Sequence, residues 1–509
     1  MNPEQLKILG SSFLGDLLKS VNLFYPETAL VVTFLLAILV DLFTRNRPSC
    51  KMSGYVSLIG FFVTAIFLCN SPQGMSFAGT YAVDAFSIFF KWIVLITSFV
   101  IIVFSFFSKE LFGEERQMGE YYTLIVGMTF GMFLLSGATN LILIYLAIET
   151  MSMSSYILAG YTKEIKRASE ASLKYVIYGA TSSGIMIYGI SLLFGLTGSL
   201  NLSGINAYLA GNNVNHITLL ISGIMIIAGI GYKISAVPFH FWTPDVYEGA
   251  PVTITAYLSV ASKAAGFAIL IRLLNSAFTI HAAGDTINTA WSVMKNVDWT
   301  MIIAVLSVLS MTLGNFVAVW QTNVKRLLAY SSIAHAGYIL MGVAVMNYTG
   351  VSAIMIYLAI YMFMNLGAFF VVMIIANHID SEDLEDYQGI GYRSPWLGVA
   401  MTIFMVSLTG LPPTAGFIGK LYVFTAVLNS GMYWLAVIGV LNSVVSLYYY
   451  VKVFRNMFLR GAEKANQPIE LSLTVKVILI ALIIPNIALG IWFGGLVNWA
   501  NASAAMILK

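Results

Sequence analysis

Charged side chains are scarce in this sequence: 26 Lys and Arg and 23 Asp and Glu residues are spread over 509 positions, with a net charge of +3. Soluble domains devote about a quarter of their residues to charge, so the composition excludes an ordinary soluble enzyme and a disordered chain. The small net charge also argues against a nucleic-acid-binding surface. Because 59% of the residues are hydrophobic, the sequence predicts a polytopic membrane protein.

Residues that bind metals and cofactors are also few. Cys50 and Cys69 cannot build a disulfide framework, a cysteine zinc site or an iron–sulfur cluster. The five histidines lie mostly near the ends of apolar stretches, which argues against a haem. GIGYK and GIGYR are not dinucleotide fingerprints, and DSEDLEDYQG lacks the ligand spacing of a calcium loop. We therefore expect no metal or cofactor to be bound by this chain.

Long apolar stretches run through the whole chain. A membrane helix needs roughly 20 apolar residues to cross about 30 Å of hydrocarbon, and about fourteen stretches satisfy this length. They cover 23–43, 52–70, 82–107, 121–137, 139–161, 168–196, 216–241, 251–274, 298–320, 325–346, 350–377, 395–428, 433–458 and 470–497. The stretches are unbroken and do not alternate, so the predicted fold is all-α and not a β-barrel.

Positive charges are distributed unevenly between the loops. The loops that follow odd-numbered spans, with their flanks, hold most of the lysines and arginines, and the opposite loops hold few. Cytoplasmic loops are enriched in positive charge, so we predict that both termini lie outside. The residues of the richer side are Arg45, Arg47, Lys51, Lys109, Arg116, Lys163, Lys166, Arg167, Lys325, Arg326, Arg393, Arg455, Arg460, Lys464 and Lys476.

Prolines interrupt two of the predicted spans. Pro238 lies in the seventh, and Pro412 and Pro413 lie in the twelfth. Proline removes an N–H group and leaves carbonyls unpaired, which hydrocarbon tolerates only beside a polar cavity or another helix. Two broken helices five spans apart indicate inverted repeats, although simple packing kinks remain an alternative. The predicted organisation is helices 1–3 over 1–120, repeats over 121–297 and 298–465, and a last helix over 466–509.

Several ionisable residues lie deep in the predicted spans. Glu149, Lys233, Lys263 and Lys420 are central, and a charge at mid-bilayer costs about 2.5–3.5 kcal/mol. These side chains must therefore face the bundle interior, each other or water. Burial favours a neutral lysine and a nearby carboxylate favours a charged one, so a movable Glu–Lys contact can release a proton. A buried string of such groups predicts a proton path, and static ion pairs are the structural alternative.

Other polar residues in the spans are open to both interpretations. Lys174 and Arg272 lie near span ends, where a static ion pair explains them equally well. Lys91, in the third span, has the same two interpretations. His240 and His335 are candidates for relaying protons, or they simply satisfy hydrogen bonds inside the membrane.

One long motif resembles a known family. The stretch GIGYKISAVPFHFWTPDVYEGAPV at 229–252 follows the pattern K-x₄-P-F-H-x-W-x-P-D-x-Y-x-G-A-P. It is similar to the seventh span of the antiporter-like subunits of respiratory complex I. The segments YLAIETMSM, SKAAGF, KRLLAYSSIAHAGY and GLPPTAGFIGK agree in order and approximate spacing, so the resemblance covers essentially the whole chain. DVYEGAP and the lysine at 420 are most similar to one bacterial type of subunit.

The resemblance implies a role for each buried charge. It places a Glu–Lys pair at Glu149 and Lys233, a central lysine at Lys263 and a terminal lysine at Lys420. It also implies that quinone reduction elsewhere in the complex drives proton pumping through these groups. NADH, FMN, iron–sulfur clusters and quinone are then bound by other subunits.

The same resemblance implies the surroundings of the chain. Its expected partners are other complex I subunits, including homologous antiporter-like subunits beside it in the membrane, and membrane lipid. The expected location is the bacterial inner membrane. Competing hypotheses are an Mrp-type cation/proton antiporter subunit, a hydrogenase- or ferredoxin-linked membrane complex, and a scaffold whose charges only lock helices together.

Overall fold

The computed structural model describes residues 15–44, 51–112, 118–280, 292–293, 297–460 and 468–506. In these residues the chain is mostly helical, with 20 α-helices and two short antiparallel hairpins. A helical segment over 15–23 precedes the first of the 20. The all-α membrane architecture expected from the sequence is thereby confirmed.

The N-terminal part contains three apolar helices and one hairpin. These elements are α1 (Tyr25–Thr44), α2 (Met52–Cys69), β1 (Gly74–Ser76), β2 (Tyr81–Val83) and α3 (Ala85–Ser105). Asp84 begins α3 with a capping box: its carboxylate accepts the Ser87 N–H at 2.7 Å, and its own N–H donates to Ser87 Oγ at 3.0 Å. Such reciprocal bonds satisfy N–H groups that a helix start leaves free.

The next part of the chain contains eight α-helices, one of which continues directly from a π-helical turn. They are α4 (Met118–Gly137), α5 (Leu141–Ala159), α6 (Lys166–Thr197), α7 (Leu202–Gly211), α8 (His216–Ile234), α9 (Trp242–Gly249), α10 (Val252–Tyr257), the π-helical turn Leu258–Ser262 and α11 (Lys263–Phe278). The strands β3 (Thr279–Ile280) and β4 (Ser292–Val293) pair after α11. The π-helical turn therefore delivers the chain directly to Lys263.

The remaining helices complete the bundle. They are α12 (Trp299–Val319), α13 (Val324–Ala344), α14 (Tyr348–Ile379), a 3₁₀ turn at Leu384–Tyr387, α15 (Ile390–Arg393), α16 (Pro395–Thr409), α17 (Ala415–Asn429), α18 (Tyr433–Leu459), α19 (Leu473–Ile491) and α20 (Gly494–Ala505). Two of them begin with an asparagine cap. The Arg326 N–H donates to Asn323 Oδ1 at the start of α13, and the Gly350 N–H donates to Asn347 Oδ1 at the start of α14. Asparagine is a favoured N-cap for this reason.

The number of spans agrees with the sequence. Thirteen helices of the described chain are long and apolar enough to cross a membrane, and the predicted span over 395–428 is divided into the shorter α16 and α17. The sequence did not predict the short helix α7, the two hairpins or the bend that separates α19 from α20.

The first break begins earlier than Pro238. α8 ends at Ile234 because Ser235 adopts a left-handed conformation, with φ of 60°. The backbone groups freed by the break have partners: the Val237 N–H donates to Ser310 Oγ on α12 at 2.9 Å, and the Trp242 indole donates to the Tyr232 carbonyl at 3.0 Å. The neighbouring helix and the next half-helix thus satisfy groups that hydrocarbon cannot.

The second break lies between α16 and α17, as the two prolines predict. Gly410 ends α16 with φ of 87°, a conformation that glycine adopts without strain. Ser407 Oγ accepts the Gly416 N–H at 3.2 Å and donates to Asn486 Oδ1 of α19 at 3.0 Å. Ser407 therefore joins both half-helices to a third helix.

Three membrane segments form the centre of the bundle. α13, α14 and the unit from α10 to α11 are buried almost completely, whereas α1, α2 and α19 leave much of their surface exposed. The central segments carry Lys263 and His335. The core of the fold therefore surrounds these two ionisable side chains.

Candidate functional site

Lys233 lies in the last turn of α8, directly before the first break. Its side chain is buried, and within the described chain its Nζ has no hydrogen-bond partner. Aromatic rings surround it. The sequence placed this lysine beside a helix break, and the structure confirms that position.

Glu149 lies on α5, the helix that also carries Tyr156. It is half-buried, and Ser183 Oγ of α6 donates a hydrogen bond to its Oε1. Glu149 acts on Lys233 electrostatically. Among the described residues, however, Lys233 has no ion-pair partner within 4.0 Å. Glu149 and Lys233 are therefore near each other but do not form an ion pair.

Lys263 is the first residue after the π-helical turn, at the centre of the bundle. Its Nζ donates to the Ser332 carbonyl at 2.7 Å and to Ser332 Oγ at 2.9 Å. Gly266, one turn further, packs against α8 so closely that a Cβ there would lie 2.6 Å from Ile234 and 3.8 Å from Lys233 Cβ. The helices that carry Lys233 and Lys263 are therefore in direct contact.

His335 lies on α13 between two tyrosine hydroxyls. Its Nδ1 is 2.7 Å from Tyr357 OH, and its Nε2 is 3.0 Å from Tyr450 OH. Tyr450 OH is also 2.5 Å from Ser331 Oγ. Ser331 is adjacent in sequence to Ser332, the partner of Lys263, so Lys263 and this group of hydroxyls contact the same stretch of α13.

Lys420 lies on α17, after the second break. Its Nζ donates to the Thr409 carbonyl at 2.6 Å and to Ser443 Oγ at 2.8 Å, and it lies 4.7 Å from the centre of the Tyr338 ring. A cavity of about 290 Å³ borders Lys420 and Ser443. Thr409 is the last residue of α16, so the first half-helix directly supplies an acceptor for the lysine of the second.

A cluster of hydroxyl and amide groups joins the His335 region to the Lys420 region. Asn315 Nδ2 donates to Tyr338 OH at 3.1 Å, and Tyr449 OH donates to Asn315 Oδ1 at 3.0 Å. The sequence analysis did not single out Asn315, Tyr357, Tyr449 or Tyr450. The run of three tyrosines at 448–450 in an apolar helix was the available signal, but it does not show which side chains face inward.

The remaining predicted residues lie outside this series. Lys174 belongs to a partly exposed ion-pair network, with its Nζ 2.6 Å from Asp245 and 2.8 Å from Glu170, and Asp245 also binds Arg326 at 2.8 Å. His240 lies in the turn after α8, and its Nδ1 has no hydrogen-bond partner within the described chain.

Two further buried cations have acidic partners. Lys91 Nζ lies 2.7 Å from Glu27, and both side chains are fully buried. Arg272 donates to both oxygens of Asp84, at 3.0 and 2.9 Å. These contacts fit the static ion-pair interpretation of Lys91 and Arg272. Among the described residues, no group of three or more His, Cys, Asp or Glu side chains could hold a metal ion.

The chain is similar to known proteins over almost its whole length. Residues 138–446, which include both breaks and the series from Glu149 to Lys420, match the family described as NADH:quinone oxidoreductase/Mrp antiporter, TM. The sequence is 48% identical to NADH-quinone oxidoreductase subunit N 2 of Chloroherpeton thalassium, over 97% of this chain and 96% of that relative.

Chains of solved membrane complexes are also similar to this chain. One similar chain belongs to respiratory complex I of Thermus thermophilus with bound aureothin; it is 29% identical, covers 93% of this chain and 98% of its own length, and gives a TM-score of 0.75. A chain of the Mrp complex of Dietzia sp. DQ12-45-1b is 20% identical, with 96% and 97% covered and a TM-score of 0.79. The second likeness concerns the fold alone.

Proposed function

This chain belongs to the family of NADH-quinone oxidoreductase subunit N, and we propose that it translocates protons through the buried series Glu149, Lys233, Lys263 and Lys420. The observation that carries the proposal is the set of buried amines and hydroxyls that lie between the two helix breaks. Such groups are costly in a membrane and mark ion pathways. The chain acts as a membrane subunit of the oxidoreductase complex, and NADH, FMN, iron–sulfur clusters and quinone belong to other subunits.

The proposed transfer begins at Lys233. Quinone reduction elsewhere in the complex changes the electrostatic field along the series, and the contact between Lys233 and Glu149 changes with it. The Lys233 ammonium then gives up one proton and becomes an amine, while the Lys263 amine accepts one proton and becomes an ammonium. The hydroxyls of Ser332, Ser331 and Tyr450, together with His335, carry the proton onward.

Lys420 completes the proposed path. Its Nζ lies beside a cavity and between acceptors from α16 and α18, so it can receive a proton from the bundle and release it at the other side. Each charge that moves across a membrane potential requires about 2.3 kcal/mol per 100 mV. We also propose that Lys174 and His240 act on the Lys233 side of the path, because each is close in sequence to a residue that packs there: Lys174 to Tyr175, and His240 to Trp242.

We also propose how the chain lies in its surroundings. The charge distribution supports an arrangement with both termini on the periplasmic side of a bacterial inner membrane and with five-helix repeats over 121–297 and 298–465. Exposed apolar side chains on α18, including Val440, Leu441 and Val444, fit contacts with lipid or with a homologous antiporter-like subunit beside the chain.

An Mrp-type cation/proton antiporter subunit remains the second candidate, because the fold is shared with that complex. The 48% identity to a subunit N over almost the whole chain favours the oxidoreductase complex. A sodium path would also need more buried oxygen ligands than the single central carboxylate Glu149. Proton translocation that stays independent of added sodium would support the first candidate.

The test is Lys233→Ala in the assembled complex. In inverted membrane vesicles, we expect NADH oxidation to persist in the presence of an uncoupler, with proton translocation per NADH strongly reduced. Lys452→Ala is the control, because Lys452 is a lysine of the membrane helix α18 that lies outside the series, with its Nζ donating to the Gln321 carbonyl at 3.0 Å. Normal translocation in the Lys233 variant would overturn the relay.

A further inference from the structure

The Lys233 ammonium faces the rings of three tyrosines. Its Nζ lies 5.3 Å from the ring centre of Tyr156, 5.3 Å from that of Tyr175 and 5.1 Å from that of Tyr232. All three rings are buried, and they come from three different helices: α5, α6 and α8. Within the described chain, this Nζ has no hydrogen-bond acceptor, so the ring faces are the electron-rich groups that surround it.

The other two central lysines have different surroundings. Lys263 has two acceptors on Ser332, and Lys420 has acceptors on Thr409 and Ser443 besides one ring. Three rings without an acceptor therefore distinguish Lys233 from both. The difference indicates that the tyrosines do more than fill space around an apolar side chain.

The three rings are fixed in place by their neighbours. Tyr232 OH donates to the Tyr175 carbonyl at 2.8 Å. The Tyr175 ring stacks on Trp242 with centres 4.4 Å apart and planes 17° apart, and the Trp242 indole donates to the Tyr232 carbonyl. Tyr156 meets Tyr175 edge to face at 4.7 Å. Trp242 begins the half-helix after the break, so the break itself holds the rings.

Ring faces distinguish the two forms of a lysine. The face of an aromatic ring carries partial negative charge, and it attracts a cation within about 6 Å of its centre, most strongly where water is excluded. A neutral amine gains little from the same contact. Three ring faces around one buried nitrogen therefore favour the ammonium over the amine. They do so without a hydrogen bond, so no acceptor fixes the position of the proton.

Few other charges face Lys233. Glu149 on α5 acts on it electrostatically, but Ser183 donates a hydrogen bond to Glu149. From α11, Gly266 packs against Lys233, and Lys263, a charged residue of that helix, lies one turn before it; α5, α6 and α8 each bring a tyrosine ring to Lys233. Glu149 is therefore the carboxylate that we infer to act on Lys233.

We propose that Tyr156, Tyr175 and Tyr232 form an aromatic cage that holds the charged form of Lys233 while it is separated from Glu149. This inference rests on the proposed relay role of Lys233 and deepens it: the tyrosines are positioning residues. The cage keeps the proton on Lys233 after the carboxylate is lost as a partner. It also leaves the N–H groups unbound, so that they are available for transfer towards Lys263.

The test removes one ring face at a time. In vesicles that contain the assembled complex, Tyr156→Leu is compared with Tyr156→Phe, which keeps the ring, while proton translocation per NADH is measured from neutral to alkaline pH. We expect the alkaline loss of translocation in Tyr156→Leu to move to lower pH by roughly one unit. The phenylalanine variant should follow the unmodified protein.

The matched control is Tyr121→Leu. Tyr121 is a buried tyrosine whose ring packs on other tyrosines, with Thr253 as the partner of its hydroxyl. Its loss should change complex yield without moving the pH profile. If Tyr156→Leu does not assemble, Tyr156→Met replaces the ring by a flexible apolar side chain of similar length and gives the same comparison.

Two results would overturn the cage. One is an unchanged pH profile of translocation in Tyr156→Leu. The other is a shift of that profile in Tyr156→Phe as large as in Tyr156→Leu, which would assign the effect to the hydroxyl. The Lys233→Ala experiment separates the two proposals: if that variant fails to translocate while Tyr156→Leu keeps the normal profile, the relay stands and the cage does not. If Lys233→Ala translocates normally, both fall.

Discussion

His335 and Tyr450 share a buried contact of 3.0 Å between the imidazole Nε2 and the phenol oxygen. The contact joins α13, at the centre of the bundle, to α18 at its edge. Tyr450 also meets Ser331, so its hydroxyl connects the histidine to the serine beside the partner of Lys263. One oxygen atom therefore joins the His335 ring to the Ser331 hydroxyl, two groups that the proposed path uses after Lys263.

Tyr450→Phe should interrupt that path. The variant keeps the ring but removes the oxygen, and one net hydrogen bond of about 1 kcal/mol corresponds to about a fivefold change in an equilibrium. We expect the population of the connected path, and with it this chain's share of the protons translocated per NADH, to fall about fivefold, with uncoupled NADH oxidation retained. Tyr448→Phe is the control, because Tyr448 lies on the same helix and is 60% exposed. Equal behaviour of the two variants would remove Tyr450 from the path.

Lys91 and Glu27 should behave as a structural pair. Lys91→Ala leaves the buried Glu27 carboxylate with the Tyr81 hydroxyl but without its cation, and breaking a buried ion pair typically costs about 3–5 kcal/mol. We expect loss of the assembled complex from detergent extracts. The double variant Glu27→Leu with Lys91→Met removes both charges, so it should restore assembly and retain proton translocation. Restored assembly without translocation would instead give this pair a role in transport.

Gly416→Ala should separate the two half-helices of the second break. An added Cβ would overlap the Ser407 carbonyl oxygen, so α16 and α17 would have to move apart. Because Lys420 bonds to Thr409 across this break, we expect reduced translocation per NADH in whatever complex assembles. Gly494→Ala is the control, since a Cβ there meets nothing within 4 Å. Normal coupling in the Gly416 variant would contradict this role for the close contact.

The number and approximate positions of the spans were predictable from local sequence, because the length of an apolar stretch and the effect of a proline are both local properties. The predicted span over 216–241 nevertheless ended early. Pro238 marks the break, but the left-handed conformation of Ser235 ends α8 before the proline is reached. Serine has no particular preference for the left-handed conformation, so its presence does not predict it; the conformation depends on contacts in the folded chain.

The ionisable residues of the candidate site were found because charge in an apolar stretch is conspicuous. Their partners were not predictable. Lys174 meets Asp245, which lies 71 positions away, and His335 meets Tyr450, which lies 115 positions away. Contacts at such separations depend on which faces the helices turn to each other. The sequence likewise could not show that Glu149 bonds to Ser183 while Lys233 faces rings.

The acceptor that Thr409 offers to Lys420 differs in kind from the carboxylate of Glu149. A carboxylate can take up a proton, so its attraction for a lysine can be cancelled chemically. A backbone carbonyl at the end of a helix cannot, and the negative end of the helix dipole adds to it permanently. The acceptors at the two ends of the proposed path can therefore be changed in different ways. The attraction of Glu149 for a lysine can be removed by protonation, whereas the attraction of the Thr409 carbonyl for Lys420 can be removed only by movement of α16 against α17.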